Sequence, residues 1–210
     1  GARAAVDALR TRGPDETVLS DVGEVVLGHT RLAVIDVAGG QQPMSSPDGR
    51  YTLVFNGEIY NFQELRTELE ARGYRFATRS DTEVLLHGYA EWGEQLVPRL
   101  DGMFAFVVWD ARERTVYAAR DRMGIKPFFY SIAAGFAFAS TLAAFLRLDG
   151  FPRRLDYEAL RDYLAFQTVL APHSFLTDVR QLPPASQLRW DARTERLVVE
   201  RYWNIPSPSD

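Results

Sequence analysis

Among the side chains that could do chemistry, one type is absent, namely cysteine. The 210 residues contain no cysteine and only three histidines, His29, His87 and His173. Without cysteine, disulfides and thiolate-bound metals are excluded, and the histidines lie too far apart in sequence to form a ligand pattern. We therefore expect no metal site, and no thiolate chemistry can come from these residues.

A second group of residues combines opposite charges with an amide and a glycine. Arg31 lies in an apolar segment, where an arginine usually pairs structurally or extends its head to water. Asp81 lies beside the predicted start of a helix, where a carboxylate favours the helix dipole. The pair Asn56-Gly57 follows an apolar run, a pattern typical of a hairpin turn. Considered one at a time, each of these residues has an ordinary structural explanation.

Composition and charge limit the class of protein. An apolar content of 46% and a charged content of 25% are those of an ordinary globular protein. The formal charge of −4 and the scattered basic residues argue against a nucleic-acid surface. No apolar run approaches the ~18 residues that cross a bilayer. We expect no nucleic-acid partner and no membrane partner.

Hydrophobic patterning predicts many short strands and a few helices. The segment 103–109 is apolar on both faces and should be a strand covered on two sides. Asn61 and Ser80 each begin a segment with capping-box spacing. Other strands are predicted at 18–19, 24–36, 51–55, 74–78, 116–119, 128–132, 136–139, 187–190 and 196–203, other helices at 2–10, 142–146 and 157–166, and a loop at 38–49. Short connections favour antiparallel pairing, so the pattern predicts an α+β fold with sheets between helices.

Six short segments together resemble the class II glutamine amidotransferase domain of asparagine synthetases. They are 12–15 (RGPD), 28–36 (GHTRLAVID), 55–61 (FNGEIYN), 80–84 (SDTEV), 101–106 (DGMFAF) and 120–127 (RDRMGIKP). Each string is short, but six in the family's order and at about its spacing form a specific signature. The similarity continues more weakly to residue 203 and so covers nearly the whole chain.

The resemblance implies an N-terminal-nucleophile hydrolase-like fold, a four-layer αββα sandwich with largely antiparallel sheets. It assigns residues 1–203 to a type 2 glutamine amidotransferase domain, whose first strand and nucleophile we expect to precede Gly1. Residues 204–210 would then begin a linker to a C-terminal synthetase domain. No cofactor is expected in the present domain, whereas ATP and Mg²⁺ would belong to the synthetase domain. We also expect a cytoplasmic protein, and the sequence leaves a homodimer open.

The chemistry that the resemblance implies is hydrolysis of L-glutamine to glutamate and ammonia. The ammonia would pass to the synthetase domain, which converts aspartate to asparagine. In the family, the nucleophile is an N-terminal cysteine whose own α-amine is the base. The ordinary pKa of an α-amine, about 7.7–8.0, suits proton transfer at neutral pH. Because this chain has no cysteine, we expect it to be inactive alone.

The resemblance also gives roles to single residues. The Asn56 side-chain amide and the Gly57 backbone N–H would be the two oxyanion donors. Arg31 would bind the substrate carboxylate, which its planar fork suits, and Asp81 would bind the substrate ammonium. Their opposite charges match the zwitterionic end of an amino acid, which supports both assignments together.

Three further positions are implied near the substrate. Glu58 continues the string that contains the oxyanion donors, although a solvated or structural role is the alternative. The backbone at Val34 and Ile35 is expected to line the pocket, with both side chains in the core.

Two alternative hypotheses remain. One is a cysteine-less pseudo-glutaminase that acts as a docking module of a β-lactam-synthetase-like or other amide-forming enzyme. The retained Arg31, Asn56, Gly57 and Asp81 argue against it, since a disused pocket is free to lose its charges. The other is an unrelated α+β binding protein. Glutamine binding would discriminate a true glutaminase from a relic.

Overall fold

The computed structural model describes residues 1–32 and 39–206. Its helices are α1 (Ala2–Asp7), α2 (Phe62–Ala71), α3 (Asp81–Trp92), α4 (Leu142–Phe145) and α5 (Tyr157–Phe166), with a 3₁₀ helix at Gly93–Arg99. Its strands are β1 (Glu16–Val22), β2 (Val25–Arg31), β3 (Met44–Ser45), β4 (Tyr51–Ile59), β5 (Gly102–Asp110), β6 (Thr115–Arg120), β7 (Phe129–Ser131), β8 (Ala137–Ala139), β9 (Arg180–Gln181), β10 (Ser186–Asp191) and β11 (Leu197–Arg201). None of these helices is long and apolar enough to cross a membrane.

The largest sheet has six strands in the order β11-β10-β6-β5-β4-β3, and each neighbouring pair is antiparallel. Strand β5 lies inside this sheet and is buried from Phe104 to Asp110, as its two apolar faces predict. Helices α2 and α3 cover one face. Leu65 and Leu69 of α2 and Leu85 of α3 pack there against Phe104 and Phe106 in a shared apolar core.

The second face of the six-stranded sheet packs against a further β layer. That layer consists of the hairpin β1-β2 and the three-stranded sheet β8-β7-β9, both antiparallel. Leu27 of β2, Tyr130 of β7 and Val107 of β5 share the core between the two layers. Helix α1 lies against β1 and β2, and α4 lies against β8. The expected αββα sandwich with largely antiparallel sheets is confirmed.

Three local predictions differ from the structure. Residues 74–78 are not a strand, because the amides of Ala77 and Thr78 donate to the Glu83 carboxylate rather than to a neighbouring strand. The predicted loop 38–49 contains the short strand β3. The Asn61 side chain makes no cap bond; it bonds the backbone of Arg99 and Asp101 instead (2.9 and 3.0 Å). Sequence spacing alone does not reveal such longer-range partners.

Candidate functional site

Asn56 and Gly57 lie within β4 and do not form the hairpin turn that their local pattern alone suggests. Asn56 is opposite Ala105 and Gly57 is opposite Phe104 on β5. A Cβ added to Gly57 would collide with the Met103 carbonyl oxygen and lie 2.7 Å from the Phe104 Cα. The two strands therefore approach too closely here for any side chain at position 57.

The backbone of Phe55 is bonded by two side chains rather than by a strand. Its N–H donates to Gln42 Oε1 (2.6 Å), and its carbonyl accepts from His29 Nε2 (3.2 Å). Strand β3 pairs with β4 only at Thr52 and Leu53, so beyond that point the outer edge of β4 has no strand partner among the described residues. Gln42 and His29 continue the bonding along this edge.

The same outer edge carries the Gly57 amide. Backbone groups of a strand point to alternate edges with a period of two residues, so Gly57 and Ile59 face the same side as Phe55. Ile59 N–H donates to Asp81 Oδ2 (3.1 Å). The Gly57 N–H thus points to an open edge between the side chains that hold Phe55 and the Asp81 carboxylate.

The Asn56 side chain lies on the face of β4 that it shares with Val54. Val54, two residues earlier, packs between the two β layers, and side chains two apart share a face. The Asn56 side chain is half-buried, lines the cleft between the layers and makes no hydrogen bond within residues 1–32 and 39–206. Its amide is therefore free to bind a ligand beside the Gly57 N–H.

Asp81 begins α3 and is only 5% exposed. The preceding Ser80 caps the helix by accepting from the Glu83 amide (3.3 Å). Burial raises the pKa of the Asp81 carboxyl above its ordinary value, although the Ile59 amide opposes this rise. A buried carboxylate that lines a cleft is suited to binding a cationic group, because the cation offsets its desolvation.

Arg31 is the last residue of β2 and is 8% exposed. Its Nη1 lies 4.0 Å from Glu16 Oε2 on the neighbouring strand, and it lines the same cleft as Asp81. Glu58 is half-buried and also lines the cleft. Val34 and Ile35 lie outside the described residues, so their expected place in the pocket stays a prediction.

The cleft has a volume of about 940 Å³ and runs beside α1, β2, β4 and β8. Its lining includes the five described residues to which the family resemblance assigns roles: Arg31, Asn56, Gly57, Glu58 and Asp81. The apolar side chains of Val54 and Val107 and the ring of Trp109 also line the cleft. The buried Trp109 Nε1–H has no acceptor in the described part of the chain.

His29 and Gln42 also line this cleft, although sequence reasoning assigned no role to either residue. Burial lowers the pKa of His29 to about 4; the bond to the Phe55 carbonyl opposes this effect, and nearby Arg31 adds to it. His29 is therefore neutral at physiological pH, and its proton is on Nε2 because a carbonyl only accepts. No cluster of three or more potential metal ligands occurs within the described ranges.

Comparison with known proteins identifies the family to which the chain belongs. The family profile described as a glutamine amidotransferase domain matches residues 2–203. The fold resembles glutamine phosphoribosylpyrophosphate amidotransferase from Bacillus subtilis, with a TM-score of 0.67 at 21% identity, over 95% of this chain and 46% of that one. The chain belongs to the glutamine amidotransferase family.

Two relatives share a higher sequence identity with this chain than that structure does. Glutamine-hydrolyzing asparagine synthetase 3 of Bacillus subtilis is 41% identical over 205 residues, which cover 96% of this chain and 33% of the relative. A putative glutamine-hydrolyzing asparagine synthetase of Mycobacterium tuberculosis strain H37Rv is 42% identical over 210 residues, which cover 93% of this chain and 32% of the relative. The chain thus spans about a third of the length of these curated relatives.

Proposed function

We propose that this domain hydrolyses the side-chain amide of L-glutamine to glutamate and ammonia. The observation that carries the proposal is that Arg31, Asp81 and the oxyanion candidates of β4 line a single cleft. Residues 1–203 form the amidotransferase domain in this proposal, and residues 204–210 begin a linker. In the full-length protein, an ATP- and Mg²⁺-dependent synthetase domain uses the ammonia to convert aspartate to asparagine.

The charges of Arg31 and Asp81 suit the amino-acid end of glutamine. Arg31 binds the α-carboxylate through its planar guanidinium, and Asp81 binds the α-ammonium. The substrate ammonium then offsets the cost of desolvating the buried Asp81 carboxylate. With that end held, the side-chain carboxamide extends toward β4.

The Asn56 amide and the Gly57 N–H then bind the oxygen of the reacting carbonyl. Both donors are in place before the reaction, and in a site shielded from water such donors stabilise the developing negative charge strongly. Glu58 lies beside them and stays a candidate for contact with the substrate.

The nucleophile is a cysteine on an extended segment outside residues 1–210. Its thiolate attacks the amide carbon, and its α-amine takes the thiol proton and delivers it to the leaving ammonia. Water then hydrolyses the thioester to glutamate. The cleft suits such a segment, because within the described residues β2 and β8 each pair on one edge only and Trp109 Nε1–H has no acceptor.

The test is to express the full-length protein, sequence its mature N-terminus and measure glutamate and ammonia release from L-glutamine. We expect an N-terminal cysteine and equal yields of both products, with activity abolished in its Cys→Ala variant. Release of ammonia that persists in this variant would contradict the mechanism.

A pseudo-glutaminase that docks to an amide-forming domain is the second candidate. Calorimetric titration with L-glutamine separates the two. Saturable binding that is lost in Arg31→Leu supports the glutaminase. Absence of binding by the intact protein favours the docking module.

A further inference from the structure

We propose that His29 and Gln42 are positioning residues that hold the oxyanion end of β4 in its productive geometry. This inference rests on the proposed glutaminase function. Neither side chain needs to contact glutamine, because both act through the backbone of Phe55, the residue directly before the oxyanion donors.

The argument begins with the bonding along β4. On its inner edge, β4 pairs with β5 along its whole length, from Tyr51 to Ile59. On its outer edge, strand pairing ends at Leu53. The Phe55 N–H and carbonyl are then bonded by Gln42 and His29. Without these two side chains, the outer edge between Leu53 and Ile59 would have no support from the described residues.

Gln42 also connects β4 to the start of α3. While its Oε1 accepts from Phe55 N–H at 2.6 Å, its Nε2 donates to Thr82 Oγ1 at 3.4 Å. Thr82 follows Asp81, the proposed ammonium ligand. Gln42 is 7% exposed, so water does not readily replace these bonds. One side chain therefore sets the spacing between the two halves of the proposed substrate site.

His29 holds Phe55 from the second β layer. It lies on β2, two residues before Arg31, the proposed carboxylate ligand, and its ring reaches across the cleft to β4. Since burial keeps the ring neutral, its single N–H is committed to the Phe55 carbonyl. The distance between the Arg31 strand and the oxyanion strand thus depends on this hydrogen bond.

The test uses the full-length protein and four variants. His29→Leu removes the donor, and His29→Gln retains a side-chain N–H. Gln42→Met is nearly isosteric and removes both of its hydrogen bonds. Gln187→Met is the matched control, because Gln187 also accepts one hydrogen bond, from the Tyr117 hydroxyl (2.9 Å), on a strand remote from the oxyanion donors.

We expect His29→Leu and Gln42→Met to lower kcat for glutamine hydrolysis by about 10²-fold, the effect of a displaced reacting geometry. KM should change by less than about threefold, since Arg31 and Asp81 remain. His29→Gln should recover at least about tenfold of the lost kcat, because it can still donate. Gln187→Met should keep wild-type kcat.

Two results would overturn the proposal. One is a kcat within about twofold of wild type in both His29→Leu and Gln42→Met. The other is an equal loss in Gln187→Met, which would make the effect one of general stability.

A second readout needs no turnover. Neither side chain contacts the Ile59 amide, so its hydrogen exchange reports how firmly the end of β4 is held. Faster exchange in His29→Leu and Gln42→Met than in Gln187→Met supports the positioning role, and unchanged exchange refutes it. A wild-type protein that lacks glutaminase activity would refute the proposed function, and the exchange rates would then decide the positioning role alone.

Discussion

Asp81 Oδ2 lies 3.1 Å from the backbone nitrogen of Ile59, which ties the start of α3 to β4 two residues beyond Gly57. The carboxylate therefore has two tasks in the proposed site: it bonds the strand that carries the oxyanion donors, and it presents a negative charge to the cleft. Because a carboxylate has two oxygens that each accept, one side chain can do both.

Replacing Asp81 by Asn should separate these tasks. The amide oxygen can still accept from Ile59, but the charge is gone. We expect glutamine binding to weaken by about 10- to 100-fold, the effect of losing one hydrogen bond between charged groups. Calorimetric titration measures this change. Binding as tight as in the wild type would exclude Asp81 as the ammonium ligand.

The same substitution should not destabilise the ligand-free protein. Burial raises the folded-state pKa of Asp81, so ionisation costs more in the folded than in the unfolded chain, and above that pKa the charge lowers stability. Removing it should raise the urea midpoint at pH 7. In the wild type, glutamine binding should fall as the pH drops through this raised pKa, and this dependence should be absent in Asp81→Asn.

Removing the Asn56 amide tests the oxyanion assignment. In the full-length protein, Asn56→Ala should lower kcat by about 10²–10³-fold, or roughly 2.7–4 kcal/mol. KM should change little, because the amino-acid end of glutamine is held elsewhere. Steady-state glutaminase kinetics provide the measurement, and near-normal turnover would contradict the assignment.

The sequence predicted the layers of the fold better than the details of the site. The apolar alternation in β5 and the Ser80 cap of α3 are local patterns, and both were confirmed. The pair Asn56-Gly57 has the local pattern of a turn, but its conformation is set by β5, where Gly57 meets the Met103 carbonyl. Only the family resemblance pointed to a different role for this pair.

His29 and Gln42 escaped prediction for a related reason. Both bond the backbone of Phe55, and a backbone acceptor or donor leaves no residue type to recognise in the sequence. Their partners are 26 and 13 positions away along the chain. A histidine within a string of family residues was the only available signal, and it did not specify a contact.

Glycine at position 57 should be required for stability as well as for chemistry. Gly57→Ala places a Cβ against the backbone of β5, and we expect a loss of about 2–4 kcal/mol in unfolding free energy from the strain. Gly23→Ala is the matched control. Its added Cβ meets nothing within 4 Å, although its φ is +76°, so it should cost about 1 kcal/mol. Equal losses in urea unfolding would show that β4 and β5 can separate without cost.

Glu83 should stabilise the protein in a pH-dependent way. Burial alone would raise its pKa, but hydrogen bonds from the Thr78 hydroxyl and the Ala77 and Thr78 amides outweigh this and lower it. A lowered pKa means that the stabilisation is present above the ordinary carboxyl range and is lost as the pH falls through the folded-state pKa. Glu83→Gln should therefore cost about 1–2 kcal/mol at pH 7.

Urea unfolding of Glu83→Gln and wild type at several pH values checks this expectation. The difference between the two should shrink as the wild-type carboxyl becomes protonated. His87 Nε2 lies 3.6 Å from the same carboxylate, so the pair is measured again in a His87→Gln background. A difference that stays constant down to the acid transition would exclude the charge of Glu83 as the cause.

His29 should make the unfolding free energy depend on pH in a higher pH range than Glu83 does. Its pKa falls from 6.5 in the unfolded chain to about 4 in the folded protein, so between these values the unfolded chain binds more protons and stability rises with pH. The gain in unfolding free energy is on the order of 3 kcal/mol; it is complete above pH 6.5 and is lost toward pH 4.

His29→Gln removes this pH dependence. His173→Gln changes an exposed histidine and should leave the pH dependence in place. The unfolding free energy of wild type minus that of His29→Gln should therefore decrease as the pH is lowered from 7 to 4. Parallel curves for the two proteins would mean that His29 is not buried in its neutral form.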